Sequence, residues 1–532
     1  MFEARGRKRI VWLVLDAAGY EITRRCIHAG VCPSLSAIER QGYLGASRPS
    51  TPNCETPPAL RALFSGSEPT ASGIWGFRMP DYGGRLEHSL SGFDVPIRGQ
   101  PAIWEDLEKR GCGYTLINAA FRKDPVWGRS FSGFDLLVDG YRRHRPQFVR
   151  MDRGVTNTRA CTRAKTHIRF QGAALHVEPG RDGVRVRARR HPAVFLKTGQ
   201  IRPLDLPRRN CGLAHCSADS VFLFSSSRPH VRLQKRLAGR SEELPPRFMH
   251  HANLFRYSRR NGGLTIDEEL RPSELVTAQM GEMALRAIQM LSSTLTIVYF
   301  SLIDEISHVY LDRIIDGWPD SREAQLLQRC YRTLDTYIGK IMQSLENDTL
   351  LVVSADHGQA PYRRIIHLNE LFAQAALVRR SGNGYDLRRS AAYYHPSGCG
   401  QVVINPRRVN LSRLSPGRIE ARVLRCLEQA NLSLGTRIAH LRGGQTDPYL
   451  LFLYPGGETH LSGRYDEKAK ILDTNRRGGQ HLSPLCPTPW MQALLGLWCP
   501  GGLRFPKADI PDRNAEVKGL LLNYLFADRS TS

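Results

Sequence analysis

Three runs of apolar residues punctuate the chain: Arg9 to Leu15 (RIVWLVL), Leu295 to Leu302 (LTIVYFSL) and Thr349 to Ser354 (TLLVVS). Continuous runs of this length, rather than alternation, predict strands buried on both faces of a parallel sheet. Tyr114 to Asn118 and Tyr449 to Tyr454 read as further strands, the latter inside a loop-rich stretch from Leu441 to Gly463. Helical spacing covers Pro33 to Gln41, Pro57 to Phe64, Ile103 to Arg110, Arg322 to Leu345 and Arg418 to Ala430. The Pro57-Pro58 pair suits a first turn, where a missing N–H costs nothing. Ser273 stands as an N-cap before a helical pattern from Glu274 to Leu291. Val184 to Arg189 alternates with period two instead, the pattern of a half-exposed strand, and short β-prone runs continue to about Tyr257. Ala391 to Pro406 is also β-like.

Strands alternating with helices predict an α/β fold: a doubly wound, mostly parallel sheet with helices on both faces, interrupted by a β-rich insertion. The expected divisions are 1–140 for the first part of the core and 141–260 for a basic β-rich insertion or cap. The core's second part follows at 261–375, a smaller α+β insertion at 376–450, and a closing core segment at 451–532. Repeats and low-complexity tracts are absent. In such sheets ligands bind at the carboxyl ends of strands, and each of the three apolar runs finishes close to an aspartate: Asp16, Asp304 and Asp356.

Charge sharpens this picture. The 532 residues carry a formal +25, from 75 Lys plus Arg against 50 Asp plus Glu. Between Tyr141 and Arg260 stand 27 basic and 7 acidic side chains, so +20 of that excess sits in one segment. The basic character belongs to the insertion, and the core is nearly neutral. No apolar run approaches the ~20 residues of a membrane span. Met1 to Lys8 is basic, but the short apolar stretch after it soon meets Asp16 and lacks the pattern of a secretory signal. Twelve cysteines at scattered spacings, without a CxxC pair, read as reduced thiols of a cytoplasmic protein. Cys211 and Cys216 bracket His215 without fitting a zinc-ribbon spacing.

The strand ends carry the chemistry. Asp304 and His308 form D-x-x-x-H, and Asp356-His357 stand in SADHG. Carboxylate oxygen and imidazole nitrogen are borderline ligands suited to Zn²⁺ or Mn²⁺. Each motif alone is weak. Three acids with two histidines at the ends of separate strands point to a metal site.

With VWLVLDAAGY, ETPPALRALFSGSEPTASGIWGF, YFSLIDEISH, LVVSADHGQ and a late GGQH, the sequence resembles the alkaline phosphatase superfamily. The likeness is to its type I phosphodiesterase/nucleotide pyrophosphatase branch and to relatives with a TPP-type nucleophile turn. Thr56, Ser65-Gly66, Pro69 and Gly73-Ile74 stand at that pattern's spacings. The resemblance implies a two-metal phosphohydrolase acting through a phospho-threonine. Asp16, Thr56, Asp356 and His357 would hold one cation, and Asp304, His308 and a late histidine the other. His481 is preferred for the last place over His460. The implied cofactors are two divalent ions, Zn²⁺ first and Mn²⁺ as alternative. The implied substrate is a small anionic phosphate ester, nucleotide-like, cleaved at a phosphodiester or pyrophosphate bond. Thr56 at a helix start would add backbone N–H donors and a favourable dipole for phosphate.

The chain also departs from the family pattern. Ala59 stands where diesterases carry an Asn, which weakens any inference about nucleotide diesters, and Ser72 replaces the usual His before Gly-Ile. Hydrolysis of phosphomonoesters or phosphonates is therefore the alternative within the superfamily. Nucleic-acid binding through the basic insertion is an alternative of another class, although its aromatics do not interleave with the basic residues. Arg61 could reach the phosphate, or be a solvated helix residue. Trp75 and Phe77 could stack on a leaving group, although packing suits them better. His367 and His395 lie in loops near the site face and read as core or surface residues, and His250-His251 reads as a surface pair.

Overall fold

The computed structural model describes residues 8–527 apart from 82–88, 94, 96–97, 118, 122–132, 138–146, 151–165, 171–172, 181, 198–199, 206–209, 217–219, 228–229, 233–265, 291–292, 383, 396–399, 413–414, 443–448, 466–470, 476, 482–487 and 503–504. An eight-stranded sheet organises the core. From edge to edge its strands are His230–Arg232, Gly133–Leu137, Tyr114–Ile117, Leu295–Phe300, Arg9–Leu15, Thr349–Ser354, Ala493–Trp498 and Tyr43–Ser47. The five from Gly133–Leu137 to Thr349–Ser354 run parallel. Ala493–Trp498 is antiparallel to both its neighbours, as is His230–Arg232 to its one.

Burial on both faces follows from the period-two geometry of the first strand. Val11, Leu13 and Leu15 enter one core with the helices Leu302–Asp316 and Arg322–Ser344. Ile10, Trp12 and Val14 enter the other, with Leu60 and Phe64 of the helix Thr56–Ser65 and Trp104 of the helix Ile103–Lys109. The doubly wound α/β expectation is met.

Outside the core, two antiparallel four-stranded sheets lie within the basic segment. One contains Ala173–Gly180, Gly183–Ala188 and Val194–Lys197; the other contains Asn210–Cys216 and Ser220–Ser227. Val184 and Val186 are buried, while Arg185 and Arg187 face out. Arg185 lies directly across from the exposed Phe195, so strand pairing juxtaposes basic and aromatic residues that the linear sequence keeps apart. A third unit packs the sheet of Ala392–Tyr394, Gln401–Ile404, Leu450–Pro455 and Ile438–Arg442 against the helices Leu368–Gln374 and Pro416–Leu434.

Three local expectations change. Ser273 is no N-cap: the helix begins at Ile266 and runs to Met290, with Pro272 and Ser273 inside it. The stretch from Leu441 to Gly463 is less loop-rich than its composition suggests, since it holds the end of Ile438–Arg442, all of Leu450–Pro455 and Thr459–Ser462. Short strands made by pairing with distant partners leave little local pattern. The strand before Asp304 ends at Phe300, which puts Asp304 in the first turn of a helix rather than on a strand end. His250 and His251 lie outside the described residues, as do the side chains of Cys211, His215 and Cys216.

Candidate metal centre

The strands ending near Asp16, Asp304 and Asp356 are immediate neighbours, with Arg9–Leu15 in the middle. Leu15 is in register with Phe300, and Val14 with Ser354, so the three turns that follow open at one level. The Asp16 N–H donates to the Phe300 carbonyl at 2.8 Å, and the Ala17 N–H to Asp356 Oδ1 at 3.2 Å. Helical spacing accounts for D-x-x-x-H: residues i and i+4 share a face, so Asp304 and His308 point the same way.

Two groups form. Asp16, Asp356 and His357, all buried, bring one potential ligand atom each to within 4.8 Å of the others. Asp304, His308 and His481 do the same. The groups adjoin, since the His357 and His481 rings lie 4.3 Å apart between centroids. Thr56, only 3% exposed, places Oγ1 3.5 Å from His357 Nε2. His460 is elsewhere, its Nδ1 2.8 Å from Gln480 Oε1 and its ring against Tyr362.

The donor set fits a cation. His357 Nδ1 lies 3.0 Å from the Gly358 carbonyl and His308 Nδ1 3.2 Å from the Gly479 carbonyl. A carbonyl only accepts, so the proton sits on Nδ1 and a neutral ring turns the Nε2 lone pair into the site. Asp356 Oδ1 takes the N–H groups of Ala17 and His357, and Asp16 Oδ2 takes the Tyr299 hydroxyl. The remaining oxygens, Asp16 Oδ1 and Asp356 Oδ2, are buried without a hydrogen-bond donor among the described residues, each 3.4 Å from His357 Nε2. Two carboxylate oxygens and one imidazole nitrogen thus converge, an arrangement relieved by a cation or, without one, by a proton held between the carboxyls.

The ionisation of these groups reflects the same conflict. Burial, then the facing Asp356, pushes Asp16 well above the usual carboxylate range. Burial raises Asp356 to about 7. Burial also drives His357 well down, so it is neutral. In the second group burial raises Asp304, but His308 and His481 outweigh it and the net shift is strongly downward. Burial lowers His481, and Asp304 reverses that to a net rise.

Other expected residues have different surroundings. Helical rotation sets Arg61 about 140° from Thr56. Its buried guanidinium donates from Nη2 to the carbonyls of Arg98 and Gln100, away from Thr56 and from solvent alike. Trp75 is buried in the third unit's core, 5.0 Å from the Phe452 ring. Phe77 packs edge-on against Phe93, and its N–H donates to Glu55 Oε2. His367 and His395 are both buried; burial, then Arg78, lowers His395 to about 4.

The helix start gives phosphate less than expected. Glu55 is the N-cap and its N–H is taken by Asn53 Oδ1. Prolines fill the second and third helical positions, which leaves the Thr56 N–H as the one donor of the first turn. Sequence reasoning also missed the parts played by Tyr299, Gln359 and Asn514, which hold the candidate ligands or their backbone in place; the first two stand inside YFSLIDEISH and LVVSADHGQ, where nothing local shows their partners. Asn514 Nδ2 donates to the Ala355 and Asp356 carbonyls at 3.0 and 2.7 Å.

The family model for type I phosphodiesterase / nucleotide pyrophosphatase matches residues 208–440. The resemblance read from the motifs is borne out, and with it the class of phosphate-ester hydrolase. That span holds Asp304, His308, Asp356 and His357; Asp16, Thr56 and His481 lie outside it. Among solved structures the chain is similar to phosphonoacetate hydrolase from Sinorhizobium meliloti 1021, at 13% identity over 98% of this chain and 96% of that one, with a TM-score of 0.47. It is also similar to human ectonucleotide pyrophosphatase / phosphodiesterase 5, at 12% identity over 97% and 95%, with a TM-score of 0.48. Likenesses this distant bear on neither residues nor substrate. No curated protein matches the sequence. Among the described residues, no helix is long and apolar enough to cross a membrane.

Proposed function

We propose that the chain hydrolyses a phosphodiester or pyrophosphate bond of a nucleotide-like substrate, with Thr56 as nucleophile beside two divalent cations, Zn²⁺ first and Mn²⁺ as alternative. One observation carries the reading: two three-residue groups stand side by side with the Thr56 hydroxyl 3.5 Å from His357 Nε2. Asp16, Asp356, His357 and Thr56 would hold one cation, and Asp304, His308 and His481 the other. Bound there, the pair supplies Lewis-acid polarisation of the phosphoryl group and makes the threonine hydroxyl acidic enough to react at neutral pH.

The chain's own residues do the rest. Thr56 Oγ1 gives up its proton to solvent and bonds to phosphorus as the bond to the leaving oxygen breaks; that oxygen departs and takes a proton from solvent, and water then cleaves the phospho-threonine, releasing the phosphoryl group and regenerating the hydroxyl. Burial of Thr56 on the first turn of a fully buried helix fixes the nucleophile's position before substrate arrives. Tyr299 orients Asp16, and Gly358 and Gly479 orient two histidines.

The test compares wild type with Thr56→Ala on bis-p-nitrophenyl phosphate and p-nitrophenyl phosphate, together with metal analysis. The expected outcome is diesterase activity and close to two transition-metal ions per chain in the wild type. Turnover should fall by about 10³-fold or more in the variant, with bound metal largely kept. Faster wild-type cleavage of the monoester shifts the reading to a monoesterase, and near wild-type rates in Thr56→Ala remove Thr56 as nucleophile.

A further inference from the structure

Gln359 joins the two candidate ligand groups. It follows Asp356 and His357 by three and two residues, on the loop after the strand Thr349–Ser354, yet its side chain reaches the other group. Its Nε2 donates to Asp304 Oδ1 and lies 3.3 Å from His481 Nε2, and the residue is buried. The orientation is set by charge: an ionised carboxylate only accepts, so the amide must turn its NH₂ toward Asp304. Resting on the two-metal reading above, we propose that Gln359 is a positioning residue that aims the Asp304 carboxylate at the second cation.

Three nitrogens crowd Asp304 Oδ1, with His308 Nε2 and His481 Nε2 each at 3.2 Å beside the Gln359 amide. A ring nitrogen that ligates a cation has no proton to donate. Neither ring nitrogen would donate to Asp304 when ligating, so of the three only the neutral amide would keep a hydrogen bond to it. A carboxylate without that bond is free to rotate, and partners of this outer kind are worth about 10–100-fold in metal affinity. The space for the amide is also specific. A Cβ at Gly479 would lie 2.7 Å from Gln359 Oε1 and 2.3 Å from the Ser307 carbonyl, so glycine there lets the amide and the Asp304 helix close together. Oε1 is buried without a hydrogen-bond donor among the described residues, so the polar contacts of this side chain are all made by Nε2.

The experiment titrates Zn²⁺ into chelator-stripped full-length protein by calorimetry, for wild type, Gln359→Met and Gln359→Ala. Methionine keeps the length and removes the donor. Wild type should show two binding steps, and both variants should lose about 10–100-fold in one step only, with melting temperature close to wild type. Equal affinities in both steps overturn the proposal, as does weakening of both steps alike. Absence of zinc binding by wild type would instead bring down the two-metal reading itself, a distinct failure.

Discussion

The candidate ligands and nucleophile could be proposed from the sequence because their types and places are local facts. An Asp just past an apolar run, an Asp and His one helical turn apart, and a Thr before two prolines can be read without knowing the fold. Their supporting partners are not local. Tyr299 meets Asp16 only because their strands are neighbours, and Gln359 meets Asp304 only through the loop's return. Gly479 is the clearest such case. Its carbonyl takes the His308 Nδ1–H, and a methyl group there would meet the Ser307 carbonyl at 2.3 Å. Gly479→Ala must push the GGQH segment off the Asp304 helix and release His308. Chemical denaturation should show a loss of about 1–3 kcal/mol, the ordinary cost of overpacking. Zinc bound per chain should fall toward one. Unchanged stability and two bound zinc ions would show that the segment yields without cost.

At the scale of elements, long periodic helices and continuous apolar strands were read nearly as they stand, since each carries its own burial pattern. The Ile266–Met290 helix was read as starting late because Ser273 has the side chain of an N-cap, and in the fold the helix runs through it. The proline pair after Thr56 misled in the opposite sense: it marks the helix start correctly but strips it of N–H donors. What positions the loop that carries Asp356 and His357 is a contact between distant elements, invisible in any window of sequence. Asn514, first residue of the helix Asn514–Phe526, donates to the carbonyls of Ala355 and Asp356 and accepts from the Ser47 hydroxyl. It thereby pins the end of the Thr349–Ser354 strand to the last helix and to an edge strand. Asn514→Ala leaves two buried carbonyls without that donor. It should cost about 1–3 kcal/mol in urea unfolding and lower kcat more than KM. A variant with wild-type stability and rate would mean that the helix contributes packing alone.

Across the whole molecule, the fold brings negative charge together where water cannot reach it, and so makes stability depend on what fills the site. Asp356 ionises near 3.9 in an unfolded chain, but burial raises it to about 7 in the metal-free fold. Between those values the native state binds the extra proton, so this group's contribution to stability falls as pH rises through the window and levels off above it. The size is about 1.4 kcal/mol per pH unit for one fully shifted group. Other groups titrate over the same range with either sign: His357, lowered by burial, favours the fold as pH rises, and His481, net raised, opposes it. A melting curve of the wild type alone therefore mixes them. The difference between Asp356→Asn and wild type reports this carboxylate together with the relief of its push on Asp16, because the amide cannot ionise. In chelator, urea midpoints should show little advantage for the variant at pH 4, and a growing one at pH 5, 6 and 7. Added zinc should invert the order, since the wild type gains binding energy that the variant lacks. A difference that stays flat with pH would mean that Asp356 ionises normally in the fold, and that the pair with Asp16 is not the charge trap from which the first cation site is argued.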